Sequence, residues 1–414
     1  MKKFEELGIN SNIINSLKEL NITEPTKIQE LSIEKISEKL DIMMQSETGS
    51  GKTLAYLLPL IEKINYDKRE NQFIVLVPTH ELALQVNEVI SKLADKSNLD
   101  IKSIVIMGDV NIKRQVEKLR DKPQFVIGSP GRILELIKLK KISAHAVKTI
   151  VVDECDKLLD QNNYNVVKDV IKTTMRDRQL LMTSATLTEE TIAIGNEIMK
   201  SPEIIKCNND TTVNPNITHL YVVCDRRDKV LTIRKLMASI TPKKAIAFIN
   251  KTEEIETLTS KLQYHGLKVD GIHGSFSKNE RQKAMNDFKT EKINLLVSSD
   301  LSARGLDIDG ITHIFNVDLP EDMNTYLHRS GRTARADKVG VVISIVTPEE
   351  IIQIKSFASK FNFILCEKTL SHGKLEDVGR VIKTTKNVSG PSKKNVSSNL
   401  NKNIHNSNKG KKKK

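Results

Sequence analysis

The sequence predicts an α/β protein of two similarly sized domains, each a mostly parallel sheet flanked by helices, followed by a disordered basic tail. Three observations carry this. From Phe73 onward, short β-branched runs alternate with longer amphipathic stretches, the pattern of strands covered by helices on both faces. The same rhythm restarts beyond a polar, proline-containing segment at 208–216. After Arg380 the composition shifts to Asn, Ser and Lys, with no acidic residue to the end.

Each element follows from its pattern. Phe73-Ile74-Val75-Leu76-Val77 reads as a buried strand, and 81–90 has helical spacing. Further strands are expected at 104–107, 125–127, 149–152 and 180–183. In the second half, strands are expected at 245–249, 268–272, 293–297, 312–317 and 341–346, with helices at 278–288 and 349–361. The boundaries become a leading segment at 2–30, a first domain at 31–206, a linker at 207–216, a second domain at 217–380 and a tail at 381–414. The tail has too little apolar surface to fold.

The 414 residues are 38% hydrophobic and carry a formal charge of +13. No stretch approaches the ~20 apolar residues of a membrane span, and residues 1–6 lack the apolar core of a signal peptide. Cys155, Cys207, Cys224 and Cys366 are scattered without Cys-x-x-Cys spacing, which argues against a disulfide framework or zinc site and for a reducing cytoplasm. His265 and His273 have no second ligand at metal spacing. The positive balance hints at a polyanionic partner.

Three clusters carry chemistry. Ser46-Glu47-Thr48-Gly49-Ser50-Gly51-Lys52-Thr53 reads as a phosphate-binding loop. Its backbone amides can cradle phosphates only where side chains stay away, hence Gly49 and Gly51. Lys52 would reach the β- and γ-phosphates and the Thr53 hydroxyl would hold magnesium. About a hundred residues on, Val151-Val152-Asp153-Glu154-Cys155-Asp156 is an apolar strand ending in carboxylates. Asp153 would hold the metal and Glu154 would position and polarise the attacking water. The third is His328-Arg329-Ser330-Gly331-Arg332-Thr333-Ala334-Arg335, in a half with no phosphate loop of its own. Facing the first domain's nucleotide, its arginines would act as fingers, worth ~10³–10⁵ in rate.

With these motifs in order, the chain resembles the DEAD-box ATP-dependent RNA helicases, as a short bacterial-type member, from about Phe4 to about Val346. The resemblance implies two tandem RecA-like domains, with ATP and Mg2+ as cofactors. Pro25-Thr26-Lys27-Ile28-Gln29, with Phe4 upstream, is similar to the Q motif, which makes Gln29 the adenine reader. Pro78-Thr79-His80-Glu81 is similar to motif Ia and Ser129-Pro130-Gly131-Arg132 to motif Ib. Asp153-Glu154-Cys155-Asp156 stands where the family has D-E-A-D, with Cys155 expected to pack as a small hydrophobe. Ser184-Ala185-Thr186 is similar to motif III and Phe248-Ile249-Asn250 to motif IV. Ser299-Asp300 with Arg304 and Asp307 is similar to motif V, Asp307 touching the ATP ribose. His328 to Arg335 is similar to motif VI, with Arg332 and Arg335 matching the fingers.

From the same resemblance, Pro78, Thr79, Gly108, Pro130, Gly131, Arg132, Asn250, Arg281 and Ser299 are expected to grip the RNA sugar-phosphate backbone, with little sequence preference. Asp156, Ser184, Thr186, Asp300, Arg304, His328 and Arg329 are expected to couple hydrolysis to strand separation. Implied partners are RNA and, through it, ribosomal particles or RNA-degradation proteins, with the protein a monomer. His80 stands where the family has Arg, Asp109 where it has Gly, Lys278 where it has Gln, and Asn21-Ile22 where it has Gly and an aromatic residue. These departures at the RNA side motivate an alternative: an ATP-gated RNA clamp or annealing factor with little unwinding.

The net charge is unevenly placed. The tail holds ten Lys, which leaves +3 on residues 1–380. The tail therefore reads as a tether for RNA without sequence choice. Deleting 381–414 is expected to weaken RNA affinity and flatten its dependence on salt while leaving the maximal ATPase rate nearly unchanged. Affinity titrations at several salt concentrations check this; unchanged affinity at low salt would refute the tether.

Overall fold

The computed structural model describes residues 2–47, 49–160, 163–207, 213–273, 276, 278–300, 308, 310–334 and 338–382. Thr48, Arg304, Asp307 and Arg335 lie outside the described residues, as do 208–212 of the expected linker and 383–414 of the tail.

The first half forms a seven-stranded sheet: β1 (Ile42–Gln45), β2 (Phe73–Leu76), β3 (Ser103–Ile106), β4 (Phe125–Gly128), β5 (Thr149–Asp153), β6 (Gln179–Ser184) and β7 (Glu203–Lys206). Its order is β3-β4-β2-β5-β6-β1-β7, with every pair parallel. Parallel strands covered on both faces must be apolar throughout, and every residue of β2, β4 and β5 is buried. Phe73 and Phe125 pack ring to ring across β2 and β4, 4.8 Å between centroids. Gly128 ends β4 because the neighbouring strand leaves no room: a Cβ there would lie 1.8 Å from the Ile106 carbonyl oxygen.

The second half forms an eight-stranded sheet: β8 (Ile217–Val223), β9 (Ala245–Phe248), β10 (Val269–Ile272), β11 (Leu295–Ser298), β12 (His313–Asn316), β13 (Gly340–Val346), β14 (Leu365–Ser371) and β15 (Lys374–Ile382). The order is β10-β11-β9-β12-β13-β8-β14-β15. All pairs are parallel except the β14–β15 hairpin. The apolar clusters on the faces of each sheet are filled from the flanking helices, so the predicted α/β pair of domains is what forms.

Strand order positions the chemistry. In the first sheet β5, β6 and β1 are neighbours, and Gln45 pairs with Ser184 while Asp153 pairs with Thr183. The phosphate loop after β1, Asp153 at the end of β5 and Ser184 at the end of β6 therefore finish at one level of one sheet edge. That is the edge at which open α/β sheets bind ligands. In the second sheet β11, β9 and β12 are neighbours, and their ends lead into Asp300, Asn250 and Asp318.

The sequence pattern missed β1, β7, β8, β14 and β15. Strand β1 is Ile-Met-Met-Gln, with a single β-branched residue, and the outer strands β7, β14 and β15 interleave charged residues. Strand β15 runs to Ile382, two residues past the expected domain end. No helix among the described residues is long and apolar enough to cross a membrane.

Candidate nucleotide site and interdomain cleft

The loop between β1 and the helix Lys52–Glu62 holds Gly49 and Gly51 at φ +84° and +92°. Gly51 is required twice. Its backbone lies in the left-handed region, and a Cβ there would sit 2.4 Å from Gln29 Nε2 and 3.0 Å from Thr26 Oγ1. Gln29 is 1% exposed. Its Oε1 accepts from the Thr26 backbone N–H at 2.9 Å, and its Nε2 donates to the Gly51 carbonyl at 3.1 Å. The residue expected to read adenine thus also fastens the leading segment to the phosphate loop.

The loop is braced from below. The Ser46 N–H donates to the Ser184 carbonyl at 3.1 Å, and the Ser50 hydroxyl donates to the Glu47 carbonyl at 2.7 Å. Lys52 Nζ donates to the carbonyls of Ser46 and Glu47, the latter at 2.7 Å. Burial pushes the Lys52 ammonium below its ordinary value, opposed by the charges of Asp153, Glu154, Asp156 and Glu47. An anion added beside Lys52 would further offset that desolvation.

Asp153 is 4% exposed at the end of β5. The Tyr56 hydroxyl donates to its Oδ2 at 3.0 Å. The Thr183 hydroxyl and the Glu154 N–H (2.9 Å) both donate to its Oδ1. Burial, then the Asp153 charge, push the Tyr56 phenol well above its ordinary range, so it stays a neutral donor to that carboxylate. Thr53 and Asp153, the residues expected to hold magnesium, offer hard oxygen donors of the kind magnesium prefers. Among the described residues no group of three or more His, Cys, Asp or Glu could hold a metal by itself. Magnesium fits that sparse set, because it keeps waters and takes phosphate oxygens alongside one or two protein ligands.

Glu154 has φ +49° and ψ +50°, a left-handed conformation that costs ~1–3 kcal/mol for a non-glycine residue and concentrates at functional sites. Cys155 is 0% exposed. Burial, then the charges of Asp156 and Asp153, push its thiol well above the ordinary range, so it packs as a neutral small hydrophobe.

Asp156 stands between the domains. Its Oδ1 accepts from the Ser184 hydroxyl at 2.8 Å. Its Oδ2 is buried, has no hydrogen bond among the described residues, and lies 3.8 Å from Lys157 Nζ and 3.7 Å from His328 Nε2 of the second domain. The Thr186 N–H donates to the Ser184 hydroxyl at 3.0 Å, while the buried Thr186 hydroxyl has no hydrogen-bond partner among the described residues. A cavity of about 240 Å³ at this seam is lined by Ser46, Thr186, Asn214, Asn324 and Gly331. Asp156, Ser184, Thr186 and His328, expected to act together, do come together.

In the second domain Arg329 is 1% exposed and fully engaged. Its Nε and Nη2 donate to the two Asp300 carboxylate oxygens, both at 2.6 Å. Nη2 also donates to Asn250 Oδ1 at 2.7 Å, and Nη1 donates to the Asp318 carbonyl at 2.7 Å and to Asn316 Oδ1 at 3.3 Å. Arg332 is 6% exposed, just beyond the helix Met323–Ser330 that carries His328 and Arg329. Ser299, just after β11, is buried. Asn250, expected to touch RNA, is tied to Arg329 and also donates through Nδ2 to the Leu319 carbonyl at 3.0 Å.

The expected RNA-side residues of the first domain sit on loops before helices or in a helix's first turn, and Arg281 lies within the helix Lys278–Lys289. Thr79 follows Pro78 and caps the helix His80–Ser97, accepting from the Leu82 N–H at 3.3 Å. Pro130 and Gly131 open the helix Pro130–Lys138. Arg132 donates to the Gly108 carbonyl at 2.7 Å and the Val110 carbonyl at 2.9 Å, and pairs with Glu135 at 2.9 Å. Arg281 forms an ion pair across the cleft with Glu81 at 2.8 Å.

Sequence reasoning missed Tyr56, Thr183, Glu81, Asn316 and Asp318. Tyr56 was findable as the one polar side chain in the apolar run 54–61, four residues and so one helical turn beyond Lys52. Glu81 has no such local signal, because its partner lies two hundred residues away.

Gln29→Ala removes both ties to the phosphate loop. It is expected to raise the KM for ATP by about tenfold or more with a smaller loss of kcat, the size of one to two lost hydrogen bonds. Steady-state ATPase titrations check this.

Two family models match the chain: DEAD/DEAH box helicase over residues 26–194 and helicase conserved C-terminal domain over 228–337. The DEAD-box ATP-dependent RNA helicase CshC of Bacillus cereus is 40% identical over 84% of this chain and 89% of that protein. The probable ATP-dependent RNA helicase YfmL of Bacillus subtilis is 38% identical over 85% of this chain and 93% of that protein. Among solved structures, S. cerevisiae Dbp5 bound to RNA and ADP BeF3 superposes with a TM-score of 0.82 at 27% identity, covering 89% of this chain and 96% of that one. With its phosphate loop, carboxylate pair and second-domain arginines assembled on two RecA-like sheets, the chain belongs to the DEAD-box ATP-dependent RNA helicase family.

Proposed function

We propose that this protein hydrolyses ATP in the cleft between its two domains and uses the cycle to open short RNA duplexes or remodel RNA–protein complexes. The observation that carries the reading is the meeting of both domains at Asp156. Ser184 holds one carboxylate oxygen and His328 approaches the other at 3.7 Å, so the first domain's hydrolytic edge and the second domain's arginine helix form one site.

The residues have distinct tasks. The backbone amides of 46–51 and Lys52 bind the β- and γ-phosphates, and Gln29 orients the adenine. Thr53 and Asp153 would hold magnesium, which would supply charge neutralisation at the phosphates. Glu154 orients a water in line with the γ-phosphorus and accepts its proton as the bond to the ADP oxygen breaks. Arg332 and Arg335 stabilise charge on the transferring phosphoryl group, and Asp307 binds the ribose.

RNA lies against the loops of Pro78, Thr79, Gly108, Pro130 and Gly131 in the first domain and of Ser299 in the second. What supports this is the resemblance together with the helix N-termini at Thr79 and Pro130, which suit phosphate. Ligands that both favour the closed cleft bind with positive coupling, so RNA stimulates hydrolysis. The same reading takes the protein to be a cytoplasmic monomer that meets its RNA in ribosomal particles or beside RNA-degradation proteins.

Two measurements test the proposal. A strand-displacement assay on a ~10-base-pair RNA duplex should release strand only with ATP; ATP-dependent binding without release would instead mark an RNA clamp. Glu154→Gln should keep ATP and RNA binding but lower turnover by about 10²-fold or more, as loss of a general base does. Turnover within a few-fold of the unmodified protein would show that Glu154 does not activate the water.

A further inference from the structure

Two of this chain's departures at the proposed RNA side are neighbours in space. His80, the first residue of the helix His80–Ser97, places Nδ1 2.8 Å from Asp109 Oδ2 in the loop after β3. The imidazole is 19% exposed and the carboxylate 63%. The loop is held from two sides. Arg132 donates to the Gly108 and Val110 carbonyls, and Gln115 Nε2 donates to the carbonyls of Met107 at 2.7 Å and Val110 at 3.1 Å. The pair is therefore a built feature, set between the loops that carry Thr79 and Gly108.

The nearby charges are accounted for on each contributing element. On the same helix, Glu81 pairs with Arg281 at 2.8 Å. On the helix Pro130–Lys138, Arg132 pairs with Glu135. The helix Ile112–Leu119, which follows the loop, begins with the exposed Lys113 and Arg114. Asp109 faces His80 Nδ1.

Resting on the RNA-binding reading above, we propose that His80 and Asp109 act as one proton-dependent contact to the RNA backbone, in which the His80 proton cancels a carboxylate that otherwise repels phosphate. With Nδ1 held by Asp109, the remaining ring nitrogen is Nε2. When the ring is neutral and Nδ1 carries the proton, the pair has a charge of −1 and Nε2 offers a lone pair, and both repel a phosphate. When the ring is protonated the pair is neutral and Nε2 becomes a donor to a phosphate oxygen. A strand bound through Nε2–H therefore takes up one proton at the pair wherever the ring was neutral before binding. Asp109 is a positioning and selectivity residue; His80 makes the contact.

The test is the KM for single-stranded RNA in the ATPase reaction between pH 5.5 and 8.5, read beside kcat and the KM for ATP. The RNA KM is expected to rise about fivefold with pH beyond any change in the ATP KM, the size of one partly exposed charge contact. His80→Gln should give a flat, high RNA KM and His80→Arg a flat, low one. Asp109→Asn should lower the RNA KM at pH 8.5 toward the value at pH 5.5, whereas a merely structural role would raise it at every pH. A His80→Gln protein with the unmodified pH profile, or an Asp109→Asn protein unchanged at pH 8.5, would overturn the proposal. Absence of RNA stimulation at every pH in the unmodified protein would instead overturn the RNA reading on which it rests.

Discussion

The buried fork between Arg329 and Asp300 is the interaction on which the cleft depends. A guanidinium 1% exposed is tolerated only when every donor has a partner. Here the partners come from the ends of β9, β11 and β12, through Asn250, Asp300, Asn316 and Asp318. Three neighbouring strands and one helix are thereby locked together. His328 and Arg332, on either side of Arg329 in sequence, inherit that fixed frame. The segments resembling motifs IV, V and VI owe their proximity to this one side chain.

The first domain solves the matching problem with a carboxylate. Asp153 is a buried anion, and Tyr56, Thr183 and the Glu154 N–H surround it with donors. Thr183 reaches it because β5 and β6 are paired neighbours, and Tyr56 because its helix begins at the phosphate loop. Each half thus buries a charged side chain beside the carboxyl ends of its strands and satisfies it from adjacent strands. The two halves meet where Asp156 approaches His328. Electrostatic groups fixed before substrate arrives need not reorganise during the reaction, which is what makes such a site effective.

Much of this was legible in the sequence. The alternation of strand and helix patterns predicted the two α/β domains that form, and Gly51-Lys52-Thr53, Asp153-Glu154 and 328–334 marked the strand ends and helix that border the candidate site, because phosphate binding needs particular residues at fixed local spacing. What stayed hidden is non-local. Tyr56 stands out locally as a polar side chain in an apolar run, but its partner Asp153 shows only when β5 is laid beside it. Arg132 and Asn250 read as RNA contacts, yet their polar groups also fasten loops within their own domains. The separate oddities of His80 and Asp109 become one feature only when the fold sets them 2.8 Å apart. The hairpin β14–β15 was missed because an outer strand needs no continuous apolar run.

If the second domain's half of the site is organised by the Arg329 fork, that organisation should be separable from ATP binding. The direct measurement is single-turnover ATP cleavage at saturating RNA by Arg329→Lys, which keeps the charge and loses the planar fork. A thermal melt on the same protein controls for folding. The account predicts a loss of about 10²-fold or more in the cleavage rate with the KM for ATP changed only a few-fold, the pattern of an interaction made in the transition state. A folded Arg329→Lys protein that cleaves ATP within about threefold of the unmodified rate would contradict it.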